Sequence, residues 1–325
     1  MIKELIMSIV SPIKWITLSL LTLSITLTAS QAQQSTQTQA NENPLQNIGE
    51  VKVVASGFIS TEGPVWHKKS NSLIFSDIPG DTIYALETST NTLSVLRNPS
   101  NASNGLALDN QGFLLAAEQK TRIISRMDLS SSEVVPFISR FEVDAASKKF
   151  NSPNDIAVFK DGSVFFTDPP FGLRGKTSDL GFNGIYVRYP SGKINLIKKM
   201  PLDVKPNGII FNAQQNILYV AISDDKSGPI LAYDVDSKGM LLNEREFVYA
   251  QNADGMSIDK KGNLYVATRT GIEVFSATGQ RWGKITLPNT IRTTNCALGG
   301  KEMNTLYITN RSGDLYAVTL PALTE

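Results

Sequence analysis

Short alternations of apolar and polar residues recur along most of this chain, each introduced by Gly, Asn or Ser: Ser72-Leu73-Ile74-Phe75, Gly112-Phe113-Leu114-Leu115, Gly162-Ser163-Val164-Phe165-Phe166, Asn216-Ile217-Leu218-Tyr219-Val220, Gly262-Asn263-Leu264-Tyr265-Val266 and Asn304-Thr305-Leu306-Tyr307-Ile308. Runs this short, with turn formers at their ends, predict strands. Ahead of each run stands a polar residue, then a further residue, usually small, and then an apolar stretch. These six segments are Glu62-Gly63-Pro64-Val65, Asn104-Gly105-Leu106-Ala107, Asn154-Asp155-Ile156-Ala157, Asn207-Gly208-Ile209-Ile210, Asp254-Gly255-Met256-Ser257 and Asn295-Cys296-Ala297-Leu298. Their leading residues lie 42, 50, 53, 47 and 41 positions apart. Repeats of about 40 to 55 residues holding several short strands predict propeller blades, so the expected fold is all-β, a six-bladed β-propeller. A propeller must not leave its first and last blades with open edges. The run Val51-Lys52-Val53-Val54 is therefore expected to form the outer strand of the last blade and close the ring.

In such a ring the first strand of each blade lines the central channel, so the leading residues gather at one mouth. They are Glu62, Asn104, Asn154, Asn207, Asp254 and Asn295, and every one offers a side-chain oxygen. Buried oxygens without partners are costly, so the ring calls for a cation or ordered water. Oxygen donors carrying two formal charges suit a hard divalent ion, calcium first, with magnesium or manganese also accommodated. Zinc is disfavoured by a chain with one His and one Cys. The same Asx-Gly pairs are also ordinary turn formers, and six of them in register are what carries the metal reading.

Composition narrows the setting. Lys3 and Lys14 flank the start of an apolar run from Trp15 to Leu27, followed by Thr28-Ala29-Ser30-Gln31-Ala32. This pattern predicts an export signal over residues 1–32, cleaved after Ala32, and a periplasmic or secreted product. Residues 33–46 are rich in Gln, Thr, Ser and Asn and are expected to form a flexible leader ahead of a propeller over 47–325. Cys296 is the only cysteine, which excludes an intramolecular disulfide. It is expected as a small buried side chain. Lys plus Arg number 31 against 30 Asp plus Glu, which gives no electrostatic footprint for nucleic acid. No membrane association is expected once the signal is removed, and the body is expected as a monomer or weak oligomer.

Five segments carry a resemblance to a known family: Glu62-Gly63-Pro64-Val65-Trp66, Phe150-Asn151-Ser152-Pro153-Asn154-Asp155, Phe166-Thr167-Asp168-Pro169, Lys205-Pro206-Asn207-Gly208 and Ala253-Asp254-Gly255-Met256. In this order, over roughly residues 50–320, they resemble the SMP-30/gluconolactonase/LRE-like group more than the strictosidine-synthase-like or paraoxonase-like propellers that share the fold. The resemblance implies a six-bladed propeller with one divalent ion, usually calcium, and ligands at Glu62, Asn154, Asn207 and Asp254. It also implies a small-molecule lactone or ester as substrate. Members acting on sugar lactones often carry Arg shortly before the asparagine motif, where this chain has Lys148 and Lys149. Lys lacks the bidentate fork of Arg, so Lys149 is expected to contact a substrate other than gluconolactone.

For lactone hydrolysis, the ion would polarise the carbonyl and Asp254 would activate water. Asn104 and Asn295 would be free to hydrogen-bond substrate. A serine triad is excluded, because His67 follows Trp66 at the far end of the first strand. Asp168, before Pro169 and Pro170, is expected at a turn. The loops 141–150 and 169–184 flank Asn154 in sequence, and Phe171 and Leu173 are candidates to cover the pocket. The rival reading is a non-catalytic exported propeller that binds a sugar or other small ligand around a structural calcium.

Overall fold

The computed structural model describes residues 43–224, 228–288 and 292–322. The expected export signal, and the leader up to residue 42, lie outside the described residues. Two units are distinguished, Met1–Gln46 and Asn47–Glu325. In the first, residues 43–46 make a turn in which the Gln46 N–H donates to the Asn43 carbonyl at 3.1 Å.

The second unit is the expected propeller of six four-stranded antiparallel sheets. Blade 1 comprises Thr61–His67, Ser72–Asp77, Thr82–Glu87 and Thr92–Arg97, and blade 2 Ser103–Leu108, Leu114–Glu118, Ile123–Met127 and Val134–Ile138. Blade 3 comprises Ile156–Val158, Val164–Asp168, Asn183–Arg188 and Ile194–Met200, and blade 4 Lys205–Phe211, Ile217–Ser223, Gly228–Val235 and Leu241–Ala250. Blade 5 comprises Met256–Ile258, Leu264–Thr268, Gly271–Phe275 and Arg281–Ile285. Blade 6 takes Thr293–Gly299, Thr305–Asn310 and Asp314–Thr319 from the C-terminal side and Lys52–Ser56 from the other. That last strand pairs antiparallel, Lys52 opposite Ala317 and Val53 opposite Tyr316, so the ring closes as the edge argument requires.

Burial follows the radial position of each strand. Ser72–Asp77 is buried at all positions, whereas Thr92–Arg97 on the rim is exposed or half-buried throughout. Aromatic rings fill the wedges between blades: Phe165 meets Phe211 edge-on at 5.2 Å, and Trp66 of blade 1 stacks on Tyr307 of blade 6 at 5.8 Å. Apolar burial of this kind, with aromatic geometry added, replaces the disulfides the chain lacks.

Hydroxyl groups on the second strands tie neighbouring blades together beside the channel. Ser76 donates to the Asn104 carbonyl at 2.9 Å and Thr167 to the Asn207 carbonyl at 2.7 Å, while Thr294 on the first strand of blade 6 donates to the Thr61 carbonyl at 2.7 Å. The loop 141–150 forms a hairpin of Phe141–Val143 and Ala146–Lys148, and the loop 169–184 holds a single 3-10 turn, Phe171–Leu173.

Candidate active site at the channel mouth

The residue after each leading donor explains how the ring is built. A Cβ on Gly63 would stand 2.1 Å from the Asn104 carbonyl oxygen, and one on Gly208 would stand 2.3 Å from the Asp254 carbonyl oxygen. Blades 1, 2 and 4 thus press the backbone of the next blade's donor against Gly63, Gly105 and Gly208, and only a residue without a side chain admits that approach. In blades 1, 2, 4 and 6 the pairing of the first strand shifts register at the ring position, for instance between Glu62 and Val65. Such bulges re-aim a side chain, here toward the channel mouth.

The mouth is a cavity of about 500 Å³. Glu62, Asn104, Asn154, Asn207 and Asp254 line it together, with Gln119, Arg174, Arg292, Thr294, Arg311 and Phe171 among its walls. Five of the six expected ring residues therefore converge. Asn295 does not. The Gly105 N–H donates to the Asn154 carbonyl, and the Gly255 N–H makes the matching bond to the Thr294 carbonyl, both at 2.8 Å. The ring position of blade 6 is therefore Thr294, and Asn295 stands one residue further on, where other blades carry Gly or Asp155. A one-residue slip turns a strand side chain to the opposite side. The Asn295 Oδ1 accepts the Cys296 N–H at 2.8 Å, and its side chain bonds Asp155. Both residues border a second cavity, of about 510 Å³, toward the other end of the channel.

Lys149 is exposed and is not among the mouth's lining residues. Phe171 lines the cavity, whereas Leu173 is buried and is not among the mouth's lining residues. His67 sits at the strand end with Nδ1 2.6 Å from the Ser70 hydroxyl, away from the mouth. Asp168 is not a turn residue: it ends the second strand of blade 3, and its two oxygens accept the Asn151 and Ser152 N–H groups at 2.7 Å each. It thereby clamps the segment that delivers Asn154. Burial pushes its carboxyl up to about 7, against those two bonds and the positive charge of Arg122.

Electrostatics at the mouth is set by buried carboxylates. Burial, and then the charge of Asp254, raises the Glu62 carboxyl well above the ordinary range. Burial also raises Asp254, opposed by Arg292, Arg311 and a hydrogen bond from Asn207. Asp155, just below, is raised by burial to about 7. Repelling, desolvated carboxylates flanked by neutral amide oxygens suit a divalent cation, which would cancel the repulsion and use every donor. Among the described residues there is no cluster of three His, Cys, Asp or Glu at metal-binding spacing, so the donor set rests on two carboxylates plus amides. That composition fits calcium or magnesium rather than zinc.

The profile of the SMP-30/Gluconolactonase/LRE-like region matches residues 60–312, nearly all of the ring. The chain belongs to this family. A gluconolactonase of Zymomonas mobilis is 32% identical over 285 residues, covering 79% of this chain and 78% of that protein. A pentonolactonase of Haloferax volcanii is 25% identical over 263 residues, covering 78% of this chain and 82% of the other. Among solved structures, a gluconolactonase of Xanthomonas campestris superposes with a TM-score of 0.77 at 29% identity, over 87% of this chain and 92% of that one.

Sequence reasoning missed Thr294 and the three arginines. A signal for Arg311 existed: it directly follows the second strand of blade 6, as Ile78 and Gln119 follow those of blades 1 and 2, and all three line the mouth. Arg174 and Arg292 lie outside the strands, where periodicity places nothing.

Proposed function

We propose that the protein is a divalent-metal-dependent lactone hydrolase, with Glu62, Asn154, Asn207 and Asp254 holding the ion, calcium by preference, and Asp254 activating water. The observation that carries this reading is the convergence of two buried, mutually repelling carboxylates and three amides on one open cavity. The lactonases among the family relatives support the reaction class. A bound divalent ion would supply a Lewis acid for the lactone carbonyl oxygen.

The chain's own residues supply the rest. Burial raises the basicity of Asp254, while Arg292 at 3.6 Å favours its ionised form, a combination suited to a base working near neutral pH. Asp254 takes a proton from water as the water oxygen adds to the carbonyl carbon. It then returns that proton to the ring oxygen as the carbon–oxygen bond breaks, releasing a hydroxy acid. Asn104 faces the same cavity and is placed to hydrogen-bond the substrate. Glu62 balances the charge of the ion and retains it. Lys149 and Asn295 have no part in this scheme.

The opening segment supports an exported, periplasmic or secreted location through its Lys-flanked apolar run and small-residue cleavage pattern. The reaction is tested by assaying the purified chain and its Asp254→Asn variant on a panel of lactones and aryl esters. Turnover of a lactone by the wild type that is lost in the variant is expected. Equal rates in both would remove Asp254 from the mechanism, and silence of the wild type across the panel would leave the binding-platform reading standing.

A further inference from the structure

The charged residues lining the mouth cavity are Glu62, Asp254, Arg174, Arg292 and Arg311. Three fixed cations face two carboxylates across one cavity. A divalent ion on Glu62 and Asp254 would leave the guanidinium groups as the uncompensated charge. A neutral lactone offers those groups hydroxyl and carbonyl oxygens but no opposite charge.

The arginines hold few direct partners for their donors. Arg292 pairs with Asp254 at 3.6 Å through one terminal nitrogen, and its Nε is buried without an acceptor. Among the described residues neither Arg174 nor Arg311 forms an ion pair. By contrast, Arg97 and Arg126, away from the mouth, each pair with a carboxylate at 2.6 and 2.7 Å. Arg311 follows the second strand of blade 6, its backbone N–H donating to the Arg292 carbonyl at 3.1 Å, and Arg174 closes the 3-10 turn carrying Phe171. They therefore approach the cavity from separate elements, and planar guanidiniums are the groups that recognise carboxylates and phosphates.

Resting on the lactonase reading, we propose that the substrate is an acidic lactone, one bearing a carboxylate or phosphate away from the reacting ester, with Arg311 and Arg174 binding that anion and Arg292 contributing charge. The ester end lies against Asp254 and the anionic end against the arginine side of the mouth.

The test compares kcat/KM for a neutral aldonolactone, the matching lactone oxidised to a carboxylate at its terminal carbon, and the matching lactone phosphorylated there. At low salt at least one acidic lactone is expected to exceed the neutral one by about tenfold or more, the size of one charge-assisted hydrogen bond. The advantage is expected to shrink as salt rises. It should fall at least several-fold in Arg311→Gln and Arg174→Gln, read as the acidic-to-neutral ratio in variants shown by circular dichroism to fold. The better of the two acidic lactones identifies the anion. Equal or better turnover of the neutral lactone, or a ratio unmoved by both substitutions, would overturn the proposal. If no lactone turns over, the lactonase reading fails separately. Calorimetric binding of non-hydrolysable lactams, neutral and acidic, then decides: tighter binding of an acidic lactam upholds the anion site, and no preference rejects it.

Discussion

Gly105→Ala joins the fold to the site in one methyl group. A Cβ at this position would stand 2.5 Å from the Asn154 carbonyl oxygen, 2.5 Å from Asp155 Oδ1 and 2.7 Å from the Asp155 Cα, where ordinary contact begins at 3.4 Å. The shortfall is 0.9 Å against backbone, not the end of a flexible side chain. That backbone is also held from behind, because the Asn154 N–H donates to the Thr167 carbonyl at 2.9 Å. Overpacking of this kind costs about 1–3 kcal/mol. In a domain of this size each kcal/mol lowers Tm by about 2–4 °C. The movement falls on a proposed metal ligand, and misplacement by about 1 Å can cost about a hundredfold in rate. Gly49→Ala is the control, since its Cβ would meet Thr319 at the ordinary 3.4 Å and should shift stability by no more than about 0.5 kcal/mol. Thermal melts and lactone kinetics on both variants are the assay. Wild-type Tm and turnover in Gly105→Ala would refute the claim that close blade packing fixes the ring.

Asp254→Asn should lower turnover about a hundredfold or more with the fold intact, as expected for loss of a general base; near-normal kcat in a variant with an unchanged melt would contradict the assignment. Glu62→Gln should raise the dissociation constant for calcium about tenfold or more, while the metal-free variant melts no lower than wild type, because a buried repulsion has gone. Calorimetry showing unchanged affinity would remove Glu62 from the ligand set. Asp168 sets a pH dependence whose sign follows from its raised carboxyl. The folded state holds the proton more tightly than the unfolded chain, so this group's contribution is full below the ordinary 3.8 and is lost as pH rises through about 7. The loss is about 4 kcal/mol over that window. Urea unfolding of wild type and Asp168→Asn at acid and mildly alkaline pH should show a shallower fall in the variant, and parallel profiles would count against the argument.

Much of the architecture was legible because it repeats. The polar lead and the alternating run recur in every blade, so blade number and five of the six ring side chains followed from spacing, and the closing strand from the need to cover the blade edges. The sixth did not, for a reason of scale. Blade 6 carries a hydroxyl, Thr294, at the ring position and an amide, Asn295, one residue later. A pattern that seeks amides and carboxylates selects the wrong neighbour, and strand geometry sends it to the other side. Arg174 and Arg292 lie outside the strands, where no period encodes a position, whereas Arg311 occupies a repeated place after a second strand that a search for leading donors passes over. Lys149 shows the same limit from the other side: it adjoins the Phe150–Asn154 motif in sequence, yet it leaves the hairpin pointing into solvent. Asp168 was visible as a residue but not as a clamp, because its partners Asn151 and Ser152 are reached only across the folded blade.

The central claim, that the mouth of the ring is a divalent-metal lactonase site, is tested most directly by following lactone hydrolysis in a pH-stat before chelation, after chelation, and after graded return of calcium. The account predicts that activity disappears with the chelator and returns in proportion to occupancy of a single site. Undiminished hydrolysis by protein shown to be metal-free would contradict it.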